Sequence, residues 1–234
     1  MRAFRKFWTS LLLIFIAIAG PIAFGAEGGL TEKTFPNGVR FVYRQIPKAK
    51  TVTARIVVPV GFLHEPQDYL EISHLVEHLI FRGNGEDSLS DSPDLMDKEG
   101  NIYNAFTTLN RTEYLLESTP ENLSAAFPFF LDLVLHPAFD PGDIETEKKI
   151  VTVEKALRDT PGNVFLTYLN HLTQNQLDSK IQAIDRPQIQ DFHRQHYTVD
   201  QLTVIITGNF NLGEITNYLS SLPKPDKKAA RKKP

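Results

Sequence analysis

Apolar positions recur with a period of two through the first part of the chain and at helical spacing through much of the rest. Thr34 to Tyr43 reads as a hairpin turning at Asn37-Gly38, and Thr51 to Val60 alternates as a third strand. Tyr69 to Phe81 is an apolar run of helical length and predicts a buried helix. Asn84 to Ser92 reads as a polar loop and Pro93 to Glu99 as a short helix. Two strands follow, Asn101 to Thr108 and Thr112 to Ser118, around Asn110-Arg111. Pro120 to Leu135 predicts an apolar helix with Phe127, Phe129 and Phe130 in the core. Asp140 to Arg158 opens with Pro141 and an acidic first turn, both signals of a helix start, and ends near Pro161-Gly162. Helices over Val164 to Leu177, Pro187 to His196 and Leu212 to Leu222, with a strand at Leu202 to Thr207, complete the pattern. Strands gathered early, helices late and one returning strand make an α+β chain.

Composition narrows the function without deciding it. The 234 residues, 41% of them hydrophobic, suffice for one large or two small domains with a real core. The formal charge of −3 comes with neither a basic stripe nor a Gly-rich phosphate loop, so no nucleic-acid partner is expected. Cysteine is absent, which removes disulfides, thiol nucleophiles, thiolate metal sites and a lipid-bearing N-terminal cysteine. Residues 1–25 read as a signal peptide: Arg2, Arg5 and Lys6, then the apolar Leu11 to Ala19, then Gly20-Pro21 and small residues around a cut after Gly25. An uncleaved anchor is the competing reading. The apolar stretch is short beside the roughly 20 residues a membrane span needs, which favours cleavage and no stable anchor. A periplasmic or secreted bacterial protein is the resulting expectation. Residues 223–234 hold six cations and three prolines and read as a disordered tail or linker, leaving 26–222 as the folded domain.

The chemistry concentrates in His74-Leu-Val-Glu77-His78, inside the apolar run. Residues four apart stack on one helix face, so both imidazoles project the same way, a geometry suited to one zinc ion with Glu77 beside it as a base. The order inverts the commoner His-Glu-x-x-His arrangement. Two histidines and a glutamate can also be an ordinary polar face. Ile72, Leu75, Val76, Leu79, Ile80 and Phe81 bracket them here, and burial among such neighbours is costly without a metal or charge partner. A catalytic zinc usually takes a third protein ligand. Glu147 and Glu154, two turns apart on the Asp140–Arg158 helix, share a face with Val151. They are either part of such a site, with Glu154 the better ligand candidate, or a solvated acidic face. Ile150, Val153 and Leu157 form a neighbouring apolar stripe, with Lys148, Lys149 and Lys155 elsewhere.

These residues resemble the pitrilysin/insulinase/mitochondrial processing peptidase family. Glu154 falls 76 residues after His78, with Glu147 a further Glu-x6-Glu step before it. Gly61-Phe-Leu-His-Glu65 and Phe81-Arg-Gly83 flank the motif as in that family. Gly100-Asn-Ile-Tyr-Asn-Ala-Phe-Thr107, Arg111-Thr-Glu-Tyr114, Pro120-Glu-Asn-Leu123 and His136-Pro-Ala-Phe-Asp140 resemble its later segments, as do His196-Tyr197 and Val204-Ile-Ile-Thr-Gly208. The likeness covers about residues 31–222, one family half. It implies a mixed, largely antiparallel sheet backed by helices, one half of a two-half clamshell. It implies one zinc per chain, on His74, His78 and Glu154, with Glu77 activating water and Glu147 supporting the ligands. Asn104, Ala105, Phe106 and Thr107 would lie on an edge strand that pairs with an extended peptide. The implied activity is that of a zinc endopeptidase subunit; the alternative is a non-catalytic partner subunit.

Two departures accompany the likeness. The second half, which in the family supplies substrate-positioning Arg and Tyr residues, is not in this sequence, so either a separate homologous subunit supplies it, as a heterodimer rather than a homodimer, or this sequence is a truncated piece. Residues 162–187 are shorter and plainer than the family's connection, with only Thr173 to Lys180 in its place. The remaining histidines read as structural: His64 in a loop, His136 beside the free carbonyls of a helix end, and His171, His193 and His196 at the surface or core edge.

Overall fold

The computed structural model describes residues 29–83, 100–158 and 178–225. The expected leader, the 84–92 loop, the 93–99 and 164–177 helices and most of the tail lie outside them. Six strands form one sheet: β1 (Thr31–Thr34), β2 (Arg40–Gln45), β3 (Val52–Val58), β4 (Ile102–Thr107), β5 (Thr112–Ser118) and β6 (Thr203–Gly208). Their order is β1-β2-β6-β3-β5-β4. β2 and β6 run parallel, with Phe41 opposite Val204, and every other pair is antiparallel. The sheet is therefore mixed and largely antiparallel, in line with the expected α+β fold.

Period-two alternation decides which face is buried. Val52, Ala54, Ile56 and Val58 of β3 are inaccessible, while Thr53, Arg55 and Val57 between them are partly exposed. Val204 and Ile206 of β6 and Tyr114 and Leu116 of β5 continue the buried side. Helices cover that side: α1 (Ile72–Ile80), α2 (Leu123–Leu135), α3 (Pro141–Arg158), α4 (Asp178–Ala183), α5 (Arg186–His196) and α6 (Leu212–Ser221). Phe127 and Phe130 lie fully inside and Phe129 only partly, so the aromatic cluster of α2 is mostly core. α1 packs on α3, α5 and β4 and is buried at every residue except His78.

Several details differ from the sequence pattern. The first strand begins before the expected hairpin, at Thr31. α4 was not expected; six residues are too few for a helical period to register, yet its Ile181 is fully buried. On α3, Ile150 and Val153 are exposed while Lys148 and Lys155 are buried. Lys148 Nζ reaches Glu145 Oε1 at 2.7 Å and the Gln182 carbonyl at 3.4 Å. His136 does not serve the free carbonyls of α2 with its ring. Its Nδ1 pairs instead with the Asp132 carboxylate, 2.7 Å away.

His193 is a core residue. Its Nε2 donates to the Val134 carbonyl at 2.9 Å and its ring stacks on Tyr197. Burial drives its pKa from 6.5 down to about 4, because the interior disfavours the imidazolium. A base depressed in the fold adds stability that is fully present above the unfolded pKa and is lost as pH falls toward the folded one. His193 should therefore cost the fold about 2 kcal/mol between about pH 7.5 and pH 5. Denaturant unfolding of the parent and His193→Gln at both pH values checks this. The variant should start less stable and lose less on acidification; parallel losses would refute the assignment.

Candidate metal centre

The lead-in to α1 is fixed from two sides. Gly61 crosses the end of the β4–β5 hairpin, where a Cβ would lie 2.1 Å from the Thr108 carbonyl oxygen, so only glycine fits. The amides of Phe62 and Leu63 donate to the carbonyls of Thr108 and Leu109 at 3.1 and 2.8 Å. Glu65 then caps the helix, accepting from the amides of Glu71 and Ser73, both at 2.8 Å. Desolvation, with the nearby Glu71 carboxylate, pushes Glu65 up to about 8 against the pull of those two donors.

On α1, His74 and His78 meet with Nε2 atoms 3.2 Å apart. Glu154, reaching across from α3, places Oε2 3.3 Å from His74 Nε2 and 3.4 Å from His78 Nε2. The three atoms form a nearly equilateral triangle. A tetrahedral zinc with bonds of roughly 2.0–2.1 Å has ligand–ligand edges of about 3.3–3.4 Å, so the set fits one zinc face with a fourth position open. Glu77 also brings a carboxylate within 4.8 Å of both imidazoles. Its Oε2 also accepts the Thr107 hydroxyl at 2.5 Å. Glu71, Glu77 and Glu147 are buried in this region, and a dication there would offset their charge.

Each imidazole uses its other nitrogen on a carboxylate. His78 Nδ1 lies 2.7 Å from Glu147 Oε2, and His74 Nδ1 lies 3.2 Å from Glu71 Oε2. Both contacts fix the tautomer with Nε2 toward the ligand triangle. Arg82, just past the end of α1, forks onto Glu147, with Nε 2.6 Å from Oε1 and a second bond from its other nitrogen. Burial alone would raise the Glu147 carboxyl, but the His78 and Arg82 bonds outweigh it and hold it below the ordinary carboxylate range. Burial lowers His78, and Glu147 with Glu154 more than restores it, so its net shift is upward. Glu77 moves up: burial outweighs the Thr107 hydroxyl and the two imidazoles.

β4 is an edge strand beside this centre. Asn104 and Phe106 sit exposed on the face away from the helices, while Ala105 and Thr107 turn toward them. Glu71 and Arg82 entered no candidate site in the sequence reading. The i,i+3 spacing of Glu71 and His74 was the available signal for the first. Arg82, 65 residues from Glu147, gave no local signal.

Fold and site together define a class: a six-stranded mixed sheet backed by helices, with an inverted His-x-x-Glu-His helix set against a second helix that carries two glutamates. The chain belongs to the insulinase family, peptidase family M16, whose model matches residues 40–185. A second model, the peptidase M16 inactive domain, matches residues 183–234. The chain is 25% identical to the uncharacterized zinc protease YmxG of Bacillus subtilis, covering 86% of this chain and 52% of that protein. A zinc protease of Mycobacterium leprae is 28% identical, over 82% of this chain and 47% of that one. The chain thus spans about half the length of the curated relatives it matches. Among solved structures, a protease from Helicobacter pylori superposes with a TM-score of 0.77 at 20% identity, over 87% of this chain and 53% of that one. Pitrilysin gives 0.74 at 23%, over 89% and 24%.

Removing Arg82 leaves the buried Glu147 carboxylate with His78 and no guanidinium. Arg82→Ala should lower unfolding free energy by about 1–3 kcal/mol, and Arg82→Lys, which loses the fork, by less. Urea denaturation measures both; a change in Arg82→Ala below about 0.5 kcal/mol would show that the pair contributes nothing.

Proposed function

We propose that this chain is the metal-bearing half of a zinc endopeptidase that cuts peptides or small unfolded proteins outside the cytoplasm. The observation that carries the reading is the near-equilateral triangle of His74 Nε2, His78 Nε2 and Glu154 Oε2. His74, His78 and Glu154 would hold the zinc, which would supply Lewis acidity and lower the pKa of a bound water to roughly 7. Glu77, buried and adjacent, takes the proton from the attacking water and delivers it to the leaving amine. Thr107 holds one Glu77 oxygen, which leaves the other for that transfer. Glu147 and Arg82 keep His78 aimed. The outer edge of β4, with Asn104, Ala105, Phe106 and Thr107, receives the substrate as an added strand.

Location rests on the N-terminal leader, read as cleaved at residue 25, with 26–222 as the folded unit and the basic tail as a linker. Among the described residues no helix is long and apolar enough to cross a membrane. The match of residues 183–234 to the inactive-domain model favours a second reading, a non-catalytic partner subunit. The presence of His74, Glu77, His78 and Glu154 in one cluster weighs against it.

Purified full chain, loaded with zinc and freed of excess, should carry about one equivalent. Glu77→Gln should keep that zinc and lose peptide cleavage by roughly 10²–10⁴-fold relative to the active parent. Zinc below about a tenth of an equivalent would remove the metal centre. Full zinc with no cleavage under any pairing would favour the partner-subunit reading.

Assembly is the other expectation. The chain alone should cleave poorly, and a co-expressed homologous half should restore activity in a heterodimer. Size-exclusion with light scattering beside a cleavage assay tests this. Full activity in a clean monomer would refute it.

A further inference from the structure

The start of α1 carries a backbone conformation that its residue type does not favour. Glu71, at the N-cap, has φ 70° and ψ 9°, the left-handed region that glycine enters freely and a glutamate does not. Helix capping does not account for the side chain. Glu71 makes no side-chain cap hydrogen bond, and the cap is supplied by Glu65 through the amides of Glu71 and Ser73. A glycine at 71 would leave those two amide bonds intact and remove the strain. The retained carboxylate instead lies buried against the ring of His74, with Oε2 3.2 Å from Nδ1.

The left-handed turn is what makes this contact. It folds the residue before the first helical turn back over that turn, so a carboxylate three positions ahead of His74 reaches its far nitrogen. His78 receives the same service from Glu147 on another helix. The two imidazoles are thereby held by two carboxylates of different origin, one local and one from 69 residues away. Strain retained beside a chemical site points to a role there.

We propose that Glu71 is a positioning residue for the metal centre: its carboxylate holds the Nδ1–H of His74 so that Nε2 faces the metal, and the left-handed backbone at 71 is retained for that contact. This rests on the metal centre proposed above, and its test reads metal affinity rather than peptide cleavage. Zinc affinity is measured on the full chain by competition with a chromophoric chelator, and thermal unfolding is measured on the metal-free chain. Glu71→Gly should weaken zinc binding by roughly 10–100-fold while leaving the metal-free melting temperature unchanged or higher. Glu71→Gln keeps an acceptor oxygen and should lie between Glu71→Gly and the parent. Zinc binding by Glu71→Gly within about twofold of the parent would overturn the proposal and leave the metal centre standing. A drop in the metal-free melting temperature of Glu71→Gly alongside weaker zinc would assign Glu71 to helix folding and overturn it too. A parent with no zinc affinity would overturn both readings.

Discussion

Two imidazoles and a glutamate on a buried helix set the terms for the rest of this structure. α1 is buried on nearly every side, and it packs against β4, α3 and α5. Polar groups in such a place must find partners, because an unmet donor or an unpaired charge inside a protein costs several kilocalories per mole. Much of the surrounding architecture meets that demand. α3 delivers Glu147 and Glu154, the end of α1 delivers Arg82, β4 delivers the Thr107 hydroxyl, and the strained N-cap delivers Glu71. The pieces come from three elements, α1 with its two ends, β4 and α3, spread over 84 positions of sequence from Glu71 to Glu154, so the site depends on the tertiary fold.

The same demand explains why α3 departs from its own amphipathic pattern. A helix docked for packing alone would turn Ile150 and Val153 inward. α3 turns Glu147 and Val151 inward and leaves Ile150 and Val153 in solvent. Burying a carboxylate paired with a guanidinium and an imidazole, in place of two aliphatic side chains, is a poor bargain for stability. It is reasonable only where the carboxylates have chemistry to do. The buried Lys148 follows from this rotation, since one face of the helix cannot serve the site without drawing its flanking lysines against neighbouring helices.

Much of the fold was legible because sheet and helix periods are strong local signals. The β3 alternation, the apolar α1 and the returning β6 each appear where the hydrophobic pattern puts them. The sheet order, with β6 inserted between β2 and β3, is not a local property and was not legible; the resemblance implied only a mixed, largely antiparallel sheet. Within the site, the His74–Glu77–His78 spacing is helix geometry and can be read directly. Glu154 could not be separated from a solvated acidic face by spacing alone, because what distinguishes the two is whether α3 rolls that face onto α1. The roles of Glu71 and Arg82 were hidden for different reasons. One depends on a left-handed dihedral that a glutamate rarely adopts, the other on a contact made across the fold.

The edge strand ties the site to the rest of a larger assembly. Among the described residues no strand pairs with the outer side of β4, and its Thr107 hydroxyl bonds Glu77, the neighbour of His74 and His78. An open edge is a standing invitation to pair with another chain, and proteins normally blunt or cover one. Here Ile102 and Phe106 leave apolar surface on that strand. Blunting the strand would protect against aggregation and would also remove the surface on which an extended peptide can be laid across the site. An exposed edge beside buried ligands is therefore intelligible if protection comes from outside the strand, from a covering half that admits a peptide and excludes a sheet. That requirement agrees with a chain spanning about half of its curated relatives. It also fits the proposed division in which this half would hold the metal ion and a second half would help to choose what is cut.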